Sequence, residues 1–215
     1  MSPAIHYRPR TSVFRESAWG SRPSSAPERH TRYVFKLLFV CSGNRCRSPY
    51  AHVVTERLVP DWVRVSSAGT LDIVSAAPPT ELIKIAGSRG VDLAFFKSRP
   101  LAHADPQEAD LVLGMALEHV SSAVVDAGAD PEKSFQLSEF VSLLETLGTQ
   151  SASTAQEARR LVARVHGRRL EQTFAPSIRI EDPIGGPPSA YVAMAEKLDD
   201  LCRRLARELL AIEPG

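Results

Sequence analysis

The stretch "CSGNRCRSP", residues 41–49, determines how the rest of the sequence is interpreted. It follows the apolar run "YVFKLLFV", which is rich in β-branched and aromatic residues and predicts a strand over residues 34–40. It precedes "YAHVVTERL", for which we predict a helix from Pro49 to Leu58 with Ser48 as its N-cap. The stretch is therefore a turn that leads from a strand directly into a helix.

The rest of the chain alternates between apolar runs and helical patterns. Further strands are predicted at residues 62–66, 109–115 and 135–137. Further helices are predicted at residues 80–90, 155–170 and 189–212. Alternation of this kind predicts the α/β fold class, with a parallel sheet covered by helices on both faces. In such sheets ligands bind at the carboxyl ends of the strands, which is where residues 41–49 lie.

Composition limits the function classes. The formal net charge of +1 argues against a dedicated nucleic-acid-binding protein, which usually has a strong basic excess. Three cysteines in 215 residues do not suggest a disulfide framework and favour the reducing cytoplasm. No apolar run approaches the roughly 18 residues that a membrane-spanning helix needs. Residues 1–33 are rich in arginine, serine and proline and show no periodicity, so we expect a disordered N-terminal extension.

The residue types in the turn suit the binding of an oxyanion. A turn that enters a helix presents unpaired backbone N–H groups and the positive end of the helix dipole, a combination that binds phosphate. Gly43 would let the backbone bend so that these N–H groups converge, and the guanidinium of Arg47 can hold two phosphate oxygens. The same positive field stabilises a thiolate at Cys41. Because a thiolate beside a bound phosphoryl group is a nucleophile, the turn predicts phosphoryl transfer.

The chain resembles the bacterial low-molecular-weight protein tyrosine phosphatases in three features: the Cys-x5-Arg-Ser spacing of residues 41–48, "SSAGT" at residues 66–70 and "DP" at residues 182–183. The resemblance extends over residues 34–212. It implies a three-layer α/β/α fold with a central four-stranded parallel sheet in the flavodoxin-like strand order 2-1-3-4. It also implies one phosphatase domain, residues 34–213, with an inserted helical segment around residues 140–175.

The resemblance further implies a cysteine-dependent phosphomonoester hydrolase that acts on phosphotyrosine. Cys41 would form a phosphocysteine intermediate, Arg47 would stabilise the phosphoryl oxygens, and Asp182 would act as general acid and then as general base. The remaining loop residues would bind the substrate, hydrogen-bond the thiolate or fix the shape of the loop; they are Ser42, Gly43, Asn44, Arg45, Cys46 and Ser48. Because the loop itself supplies positive charge, no metal and no other cofactor is expected.

Cys46 has two interpretations. Some family members use a second cysteine at this position to form a reversible disulfide with the nucleophile, which would protect Cys41 from over-oxidation. Alternatively, Cys46 packs under the loop as a small apolar residue. A zinc site is disfavoured, because Cys202 is the only other cysteine in the sequence and stands alone in the predicted C-terminal helix.

The predicted pocket departs from the family at its walls. Family members usually have aromatic side chains there, and our alignment gives Ile73 and Ile184 instead. Arg45 replaces a residue that is often small or aliphatic, and its charge would favour an acidic or doubly charged substrate. We expect Tyr50 to replace part of the missing wall. The histidines, His119 among them, receive no role.

Other functions are compatible with the same loop. An arsenate reductase could use it but normally needs further resolving cysteines, and a phosphate-binding module without catalysis would need neither Cys41 nor Asp182. A phosphoarginine phosphatase is a variant of the first interpretation, but those enzymes tend to have a small polar residue at the position of Arg45. The expected partner is a phosphotyrosine-containing protein in the cytoplasm, a bacterial tyrosine kinase being one candidate, and no role is expected for nucleic acid.

Overall fold

The computed structural model describes residues 34–148, 151–171 and 179–210, so the extension predicted for residues 1–33 lies outside the described residues. Within that part of the chain, one parallel sheet is formed by β1 (Phe35–Cys41), β2 (Val63–Gly69), β3 (Leu111–Gly114) and β4 (Ser134–Gln136). The strands follow the order β2-β1-β3-β4, which confirms the predicted order. β1 is therefore central, with β2 on one side and β3 on the other.

The α-helices of the described residues are α1 (Arg47–Glu56), α2 (Thr80–Ser88), α3 (Leu117–Val125), α4 (Leu137–Glu145), α5 (Ala155–Glu171) and α6 (Pro188–Leu210). Their ends agree with the predicted ranges to within a few residues, except for α3 and α4, which the sequence patterns did not indicate. α4 and α5 lie in the region where we predict an insertion, and the insertion itself stays a prediction. None of these helices combines the length and the apolar character that crossing a membrane requires.

The side chains of β1 point alternately into two apolar clusters, one on each face of the sheet. Phe35, Leu37 and Phe39 belong to the larger cluster, which they form with side chains of α1, α2, α4, α5 and α6. Leu38 and Val40 belong to a smaller cluster that includes Ala123 of α3. Burial on both faces explains why this strand is a continuous apolar run in the sequence. Helices cover both faces of the sheet, which confirms the three-layer architecture.

The register of the sheet positions the predicted site. Cys41 is paired with Gly69 at the end of β2, and Val40 is paired with Gly114 at the end of β3. Because these strands are parallel, the segments that follow all three of them meet at one edge of the sheet. This is the edge at which α/β proteins bind their ligands.

Candidate active site

Cys41 is the last residue of β1, and Arg47 is the first residue of α1, so residues 42–46 form the connecting loop. The N–H groups of Thr70 and Leu71 donate to the carbonyl oxygens of Cys41 and Ser42, both at 2.9 Å, and tie the loop to the segment after β2. Within the described residues, the N–H groups of residues 43–47 donate to no acceptor. These donors, at the positive end of α1, are available to an anion.

Asn44 fixes the shape of this loop with every polar atom of its side chain. Its φ of +49° lies in the left-handed region, which asparagine tolerates better than most residues. Nδ2 donates to Ser48 Oγ at 2.9 Å and to Ser67 Oγ at 3.0 Å, and Oδ1 accepts from the N–H of Arg99 at 2.9 Å. The side chain is buried, so these bonds replace all of its contacts with water.

The backbone bend and the close approach that we predicted at Gly43 occur at other residues. The left-handed turn of the loop falls at Asn44, and Gly43 has room for a side chain, since an added Cβ would lie 3.4 Å from the nearest atom, Ile73 Cδ1. The close approach occurs instead at Gly69 in β2. A Cβ there would lie 2.7 Å from Ser42 O and 2.8 Å from Asn44 N. The absence of a side chain at position 69 is therefore what lets the loop cross the end of β2.

Ser48 bonds the candidate nucleophile and is not the N-cap that we predicted. α1 begins at Arg47, and its N-cap, Cys46, makes no side-chain capping bond. The hydroxyl of Ser48 lies 3.0 Å from Cys41 Sγ and also contacts Asn44 and the carbonyl oxygen of Ala68. The helix thus begins at Arg47, earlier than the predicted Pro49, and the Ser48 hydroxyl faces the loop and not the first turn of the helix.

Arg47 and Asp182 form an ion pair at the mouth of the loop. The buried guanidinium approaches Asp182 Oδ2 to 2.5 Å through Nη2, which also donates to Ser42 Oγ at 3.0 Å. Nη1 donates to the carbonyl oxygen of Ile180 at 3.2 Å, whereas Nε is buried without a partner in the described residues. The Asp182 side chain remains 36% exposed, so the pair lies at the boundary between the loop and solvent.

The segment that carries Asp182 is anchored to the sheet on its other side. The N–H of Ile180 donates to the carbonyl oxygen of Met115, just after β3, at 2.8 Å. Asp182 Oδ1 accepts the N–H of Ile184 at 3.2 Å, and the chain then turns at Gly185, whose φ is +80°. The chain thus brings a carboxylate to the guanidinium across 135 residues of sequence.

The family model described as low molecular weight phosphotyrosine protein phosphatase matches residues 36–150, just over half of the 215 residues. The match contains all of residues 41–48, which we call the Cys41 loop. The chain belongs to this family. Its members are cysteine-dependent phosphatases, which agrees with the position of Cys41 beside free backbone N–H groups and in the loop that carries Arg47.

Relatives of this phosphatase divide by name into two groups. A protein-arginine-phosphatase of Geobacillus stearothermophilus is 28% identical over 175 residues, which make up 81% of this chain and 96% of that protein. The low molecular weight protein-tyrosine-phosphatase Etp of Escherichia coli is 32% identical over 91 residues, 42% of this chain and 61% of that protein.

Solved structures divide in the same way. The arginine phosphatase YwlE from G. stearothermophilus has a TM-score of 0.59 and 28% identity, covering 80% of this chain and 91% of that chain. A low molecular weight protein tyrosine phosphatase from T. tengcongensis has a TM-score of 0.59 and 26% identity, covering 81% of this chain and 99% of that chain.

The residues predicted as walls of the phosphatase pocket lie in two segments, one that contacts the Cys41 loop and one that follows Asp182. Ile73 Cδ1 lies over Gly43, and the stem of Arg45 lies on the same side. Arg45 Nε donates to the carbonyl oxygen of Ala77 at 2.9 Å, which holds its guanidinium along the 70–77 segment. Ile184, two residues after Asp182, is half exposed. Their assignment as substrate-binding walls stays a prediction.

Tyr50 is not a wall, and that expectation was wrong. Its side chain is completely buried in the larger cluster, and its hydroxyl donates to Asp199 of α6 at 3.1 Å. The face of α1 that carries Tyr50 packs against α6, which a local reading of the sequence could not reveal.

All three cysteines are free thiols. Burial, followed by the negative charges of Asp182 and Cys41, raises the pKa of Cys46 to about 12, and burial raises the pKa of Cys202 to about 12. Both therefore carry their proton at neutral pH. The protective disulfide between Cys46 and Cys41 stays a prediction. In the described part of the chain, no three His, Cys, Asp or Glu side chains cluster as metal ligands would.

His119 belongs to the site, although the sequence analysis gave it no role. It lies in α3, is 1% exposed, and places Nε2 2.9 Å from Ser42 Oγ. Burial, followed by the positive charge of Arg47, lowers the pKa of His119 to about 4, so the ring is neutral at pH 7. The contact spans 77 residues, so no local motif could indicate it. The only signal was its place shortly after a predicted strand, at the ligand-binding edge of the sheet.

Proposed function

We propose that the protein is a protein phosphatase that hydrolyses phosphotyrosine through a phosphocysteine at Cys41. One observation carries the proposal: the buried Cys41 sulfur, bonded to Ser48 at 3.0 Å, lies in the loop that the Arg47–Asp182 ion pair closes. This arrangement brings a nucleophile, a cation for phosphoryl oxygens and a carboxyl group for proton transfer into one site. Membership of the family supports it.

In the first step, the Cys41 thiolate attacks phosphorus, and the bond between phosphorus and the tyrosyl oxygen breaks. Arg47 and the free N–H groups of residues 43–47 stabilise the charge on the equatorial phosphoryl oxygens. The departing oxygen takes the proton of the Asp182 carboxyl group. This step leaves tyrosine, phosphocysteine and a carboxylate at Asp182.

In the second step, a water molecule attacks phosphorus and gives a proton to Asp182, while the bond between phosphorus and sulfur breaks. The Ser48 hydroxyl stabilises the departing thiolate, because it lies within hydrogen-bond distance of the sulfur. The products are inorganic phosphate and the starting protonation states of Cys41 and Asp182. In the free protein Asp182 is a carboxylate paired with Arg47. A phosphoryl group that binds Arg47 displaces it, and the displaced carboxylate takes up the proton that it gives to the leaving oxygen in the first step.

Phosphotyrosine is favoured over phosphoarginine by the charge of Arg45. Arg45 is a permanent cation next to Gly43, its stem lying about 4 Å from the site of an added Gly43 Cβ. The neutral phenyl ring of phosphotyrosine can stack on a guanidinium or on the aliphatic Ile73. The guanidinium of phosphoarginine remains cationic, so Arg45 would repel it.

Phosphoarginine is the second candidate, because a protein-arginine-phosphatase of Geobacillus stearothermophilus is 28% identical over 96% of its own length. The two candidates share Cys41, Arg47 and Asp182 and differ only in the group that leaves. A neutral residue at position 45 would remove the charge repulsion that disfavours phosphoarginine relative to phosphotyrosine.

Turnover of p-nitrophenyl phosphate tests the chemistry. We expect metal-independent turnover by the wild type, nearly complete loss in Cys41→Ser, and a burst of p-nitrophenol only where the thiol is present. His103→Gln is a matched control, since His103 is exposed and lies outside the site. A substantial rate in Cys41→Ser would contradict the covalent mechanism.

Two phosphopeptides of the same sequence, one with phosphotyrosine and one with phosphoarginine, test the substrate. We expect a higher kcat/KM for phosphotyrosine in the wild type and a smaller ratio in Arg45→Gln, which removes the charge but keeps the length of the side chain. A wild-type preference for phosphoarginine would establish the second candidate.

We further propose that the physiological substrate is a phosphotyrosine-containing protein of the cytoplasm, with a tyrosine kinase as one candidate. Arsenate reduction is not favoured, because it needs resolving cysteines downstream of the loop. Cys202 is the only cysteine there, and it is completely buried in α6.

A further inference from the structure

Ser42, the residue that follows the nucleophile, has two neighbours that determine where its proton points. Arg47 Nη2 lies 3.0 Å from Ser42 Oγ, and His119 Nε2 lies 2.9 Å from the same atom. A hydroxyl group can accept two hydrogen bonds and donate one. Arg47 can only donate, so one lone pair of Ser42 Oγ is already occupied.

The other bond depends on which ring nitrogen of His119 carries the proton. If Nδ1 carries it, Nε2 is an acceptor, and the Ser42 hydroxyl donates its only hydrogen bond to His119. If Nε2 carries it, His119 donates to Ser42 Oγ, and the serine proton remains free. The geometry of the Nε2 contact alone is the same in both cases.

The surroundings of Nδ1 decide between these tautomers. Nδ1 is buried and has no hydrogen-bond partner among the described residues. A buried N–H without an acceptor is rarer in proteins than an unused acceptor, because the unpaired donor loses its bond to water without replacement. The ring is neutral at pH 7, so it carries one proton only. That proton is therefore placed on Nε2.

We propose that His119 is a positioning residue that donates to Ser42 and thereby turns the Ser42 hydroxyl toward the phosphoryl group as an additional donor. Both lone pairs of Ser42 Oγ are then occupied, by His119 and by Arg47, and the remaining O–H bond points away from both. Beside it is the guanidinium that would bind phosphoryl oxygens, with Nη2 3.0 Å from Ser42 Oγ, and Ser42 directly follows the nucleophile in the chain. The proposal rests on the proposed phosphatase function.

The tautomer is measured directly by NMR. In 15N-labelled wild-type protein at pH 7, two-bond nitrogen–proton correlations distinguish the two ring nitrogens of each of the six histidines. The His119 signals are those that disappear in His119→Gln, and His103→Gln serves as the assignment control. We expect the proton on Nε2. A proton on Nδ1, or on both nitrogens, would overturn the proposal.

Kinetics test whether His119 acts through Ser42. With p-nitrophenyl phosphate, we expect Ser42→Ala and His119→Phe each to lower kcat/KM roughly tenfold, the effect of losing one hydrogen bond to a charged group. In the double variant the losses should not add, because both changes remove the same donor. His119→Gln should retain most of the activity, since its amide N–H reaches a similar position.

Additive losses in the double variant, or a His119→Gln as weak as His119→Phe, would overturn the positioning role. If the wild type hydrolysed no aryl phosphate, the proposed function would fail on its own. The NMR experiment would still decide the tautomer, and the affinity of Ser42→Ala for inorganic phosphate, expected to be lower than that of the wild type, would decide whether Ser42 donates to an oxyanion.

Discussion

The Cys41 loop, residues 41–48, and the Asp182 loop, residues 180–186, meet at one ion pair but are held in different ways. In the Cys41 loop, Asn44, Arg47 and Ser48 are buried and linked by side-chain hydrogen bonds to one another or to neighbouring strands. In the Asp182 loop most residues are exposed, and Asp182 is held to the other loop by Arg47. One side of the site is therefore fixed, and the other is open to water.

This difference matches the two tasks of a phosphatase. Donors that stabilise a transition state are effective when they are already in place before the reaction, because no free energy is then spent on ordering them. A group that gives a proton to the leaving oxygen and then receives one from water must be reachable by both. We infer that the buried loop binds the phosphoryl group and the exposed loop exchanges protons.

Among the variants that compare the two loops, the largest effect is expected for Asp182→Ala, which removes the proton donor but leaves the Cys41 loop intact. We expect kcat for p-nitrophenyl phosphate to fall by roughly 10²–10⁴-fold, the usual contribution of a general acid. The inhibition constant of inorganic phosphate should fall as well, because the carboxylate that competes for Arg47 is gone. Steady-state kinetics with phosphate as inhibitor measure both. Weaker phosphate binding would show that the two loops do not compete for the guanidinium.

Gly69→Ala tests the fixed side of the comparison. The new Cβ would meet backbone atoms of Ser42 and Asn44 at 2.7 and 2.8 Å, and these atoms cannot move without shifting the loop. Overpacking of this kind costs about 1–3 kcal/mol of unfolding free energy, and the displaced donors should lower kcat by tenfold or more. Urea unfolding and kcat are the measurements.

Gly87→Ala is the matched control for Gly69→Ala, since a Cβ at position 87 of α2 meets nothing within 4 Å. It should raise the unfolding free energy by about 0.5–1 kcal/mol through helix propensity and leave kcat unchanged. Wild-type kcat in Gly69→Ala would show that the loop is less rigid than its hydrogen bonds indicate.

The pH dependence of the unfolding free energy tests whether His119 is buried as a neutral ring beside the Cys41 loop. The pKa of His119 is about 4 in the folded protein and about 6.5 in a solvated chain, so below pH 6.5 the unfolded state binds a proton that the folded state does not. Between pH 7 and pH 4 the wild type should therefore lose on the order of 3 kcal/mol more unfolding free energy than His119→Gln. Urea unfolding at several pH values measures the difference. Parallel pH profiles would mean that His119 takes up its proton over the same pH range in the folded and the unfolded protein, so that its pKa is not lowered by folding.

Between the two loops, the smaller effect on kcat is expected for Gly185→Ala on the open side. Its φ of +80° disfavours a side chain, which costs about 1–2 kcal/mol, but a Cβ would meet nothing within 4 Å. We therefore expect a small loss of stability and a kcat close to that of the wild type. A loss of kcat as large as that of Gly69→Ala would remove the distinction between the two loops.

The α/β class followed from the sequence pattern, whereas the strand order and the grouping of Cys41 with Arg47 and Asp182 followed from the resemblance to the family. Strand–helix alternation and a loop of adjacent residues are local patterns, and the motif could be recognised without knowing any contact. Asp182 was found because its Asp-Pro-Ile-Gly-Gly setting is also a local pattern.

Properties that depend on distant contacts could not be predicted. His119 reaches Ser42 across 77 residues, and Tyr50 packs in the larger cluster with its hydroxyl donating to Asp199 of α6 across 149 residues. Gly69 and Gly43 are both glycines beside the loop, and only the packing of the β2 end against the loop backbone shows which of them must lack a side chain. Sequence identifies the reactive groups, whereas packing identifies the residues that hold them in place.

The hydroxyl of Ser48 has a consequence for how the two chemical steps are connected. It accepts from Asn44, and its single proton can point to Cys41 Sγ, 3.0 Å away, or to the carbonyl oxygen of Ala68, 3.3 Å away. When the sulfur is an anion the proton faces it, and when the sulfur carries the phosphoryl group the proton can rotate to the carbonyl. When the charge of the sulfur changes, the Ser48 hydroxyl can therefore change its acceptor by rotating about its Cβ–Oγ bond. The heavy atoms of the loop can stay where they are throughout turnover.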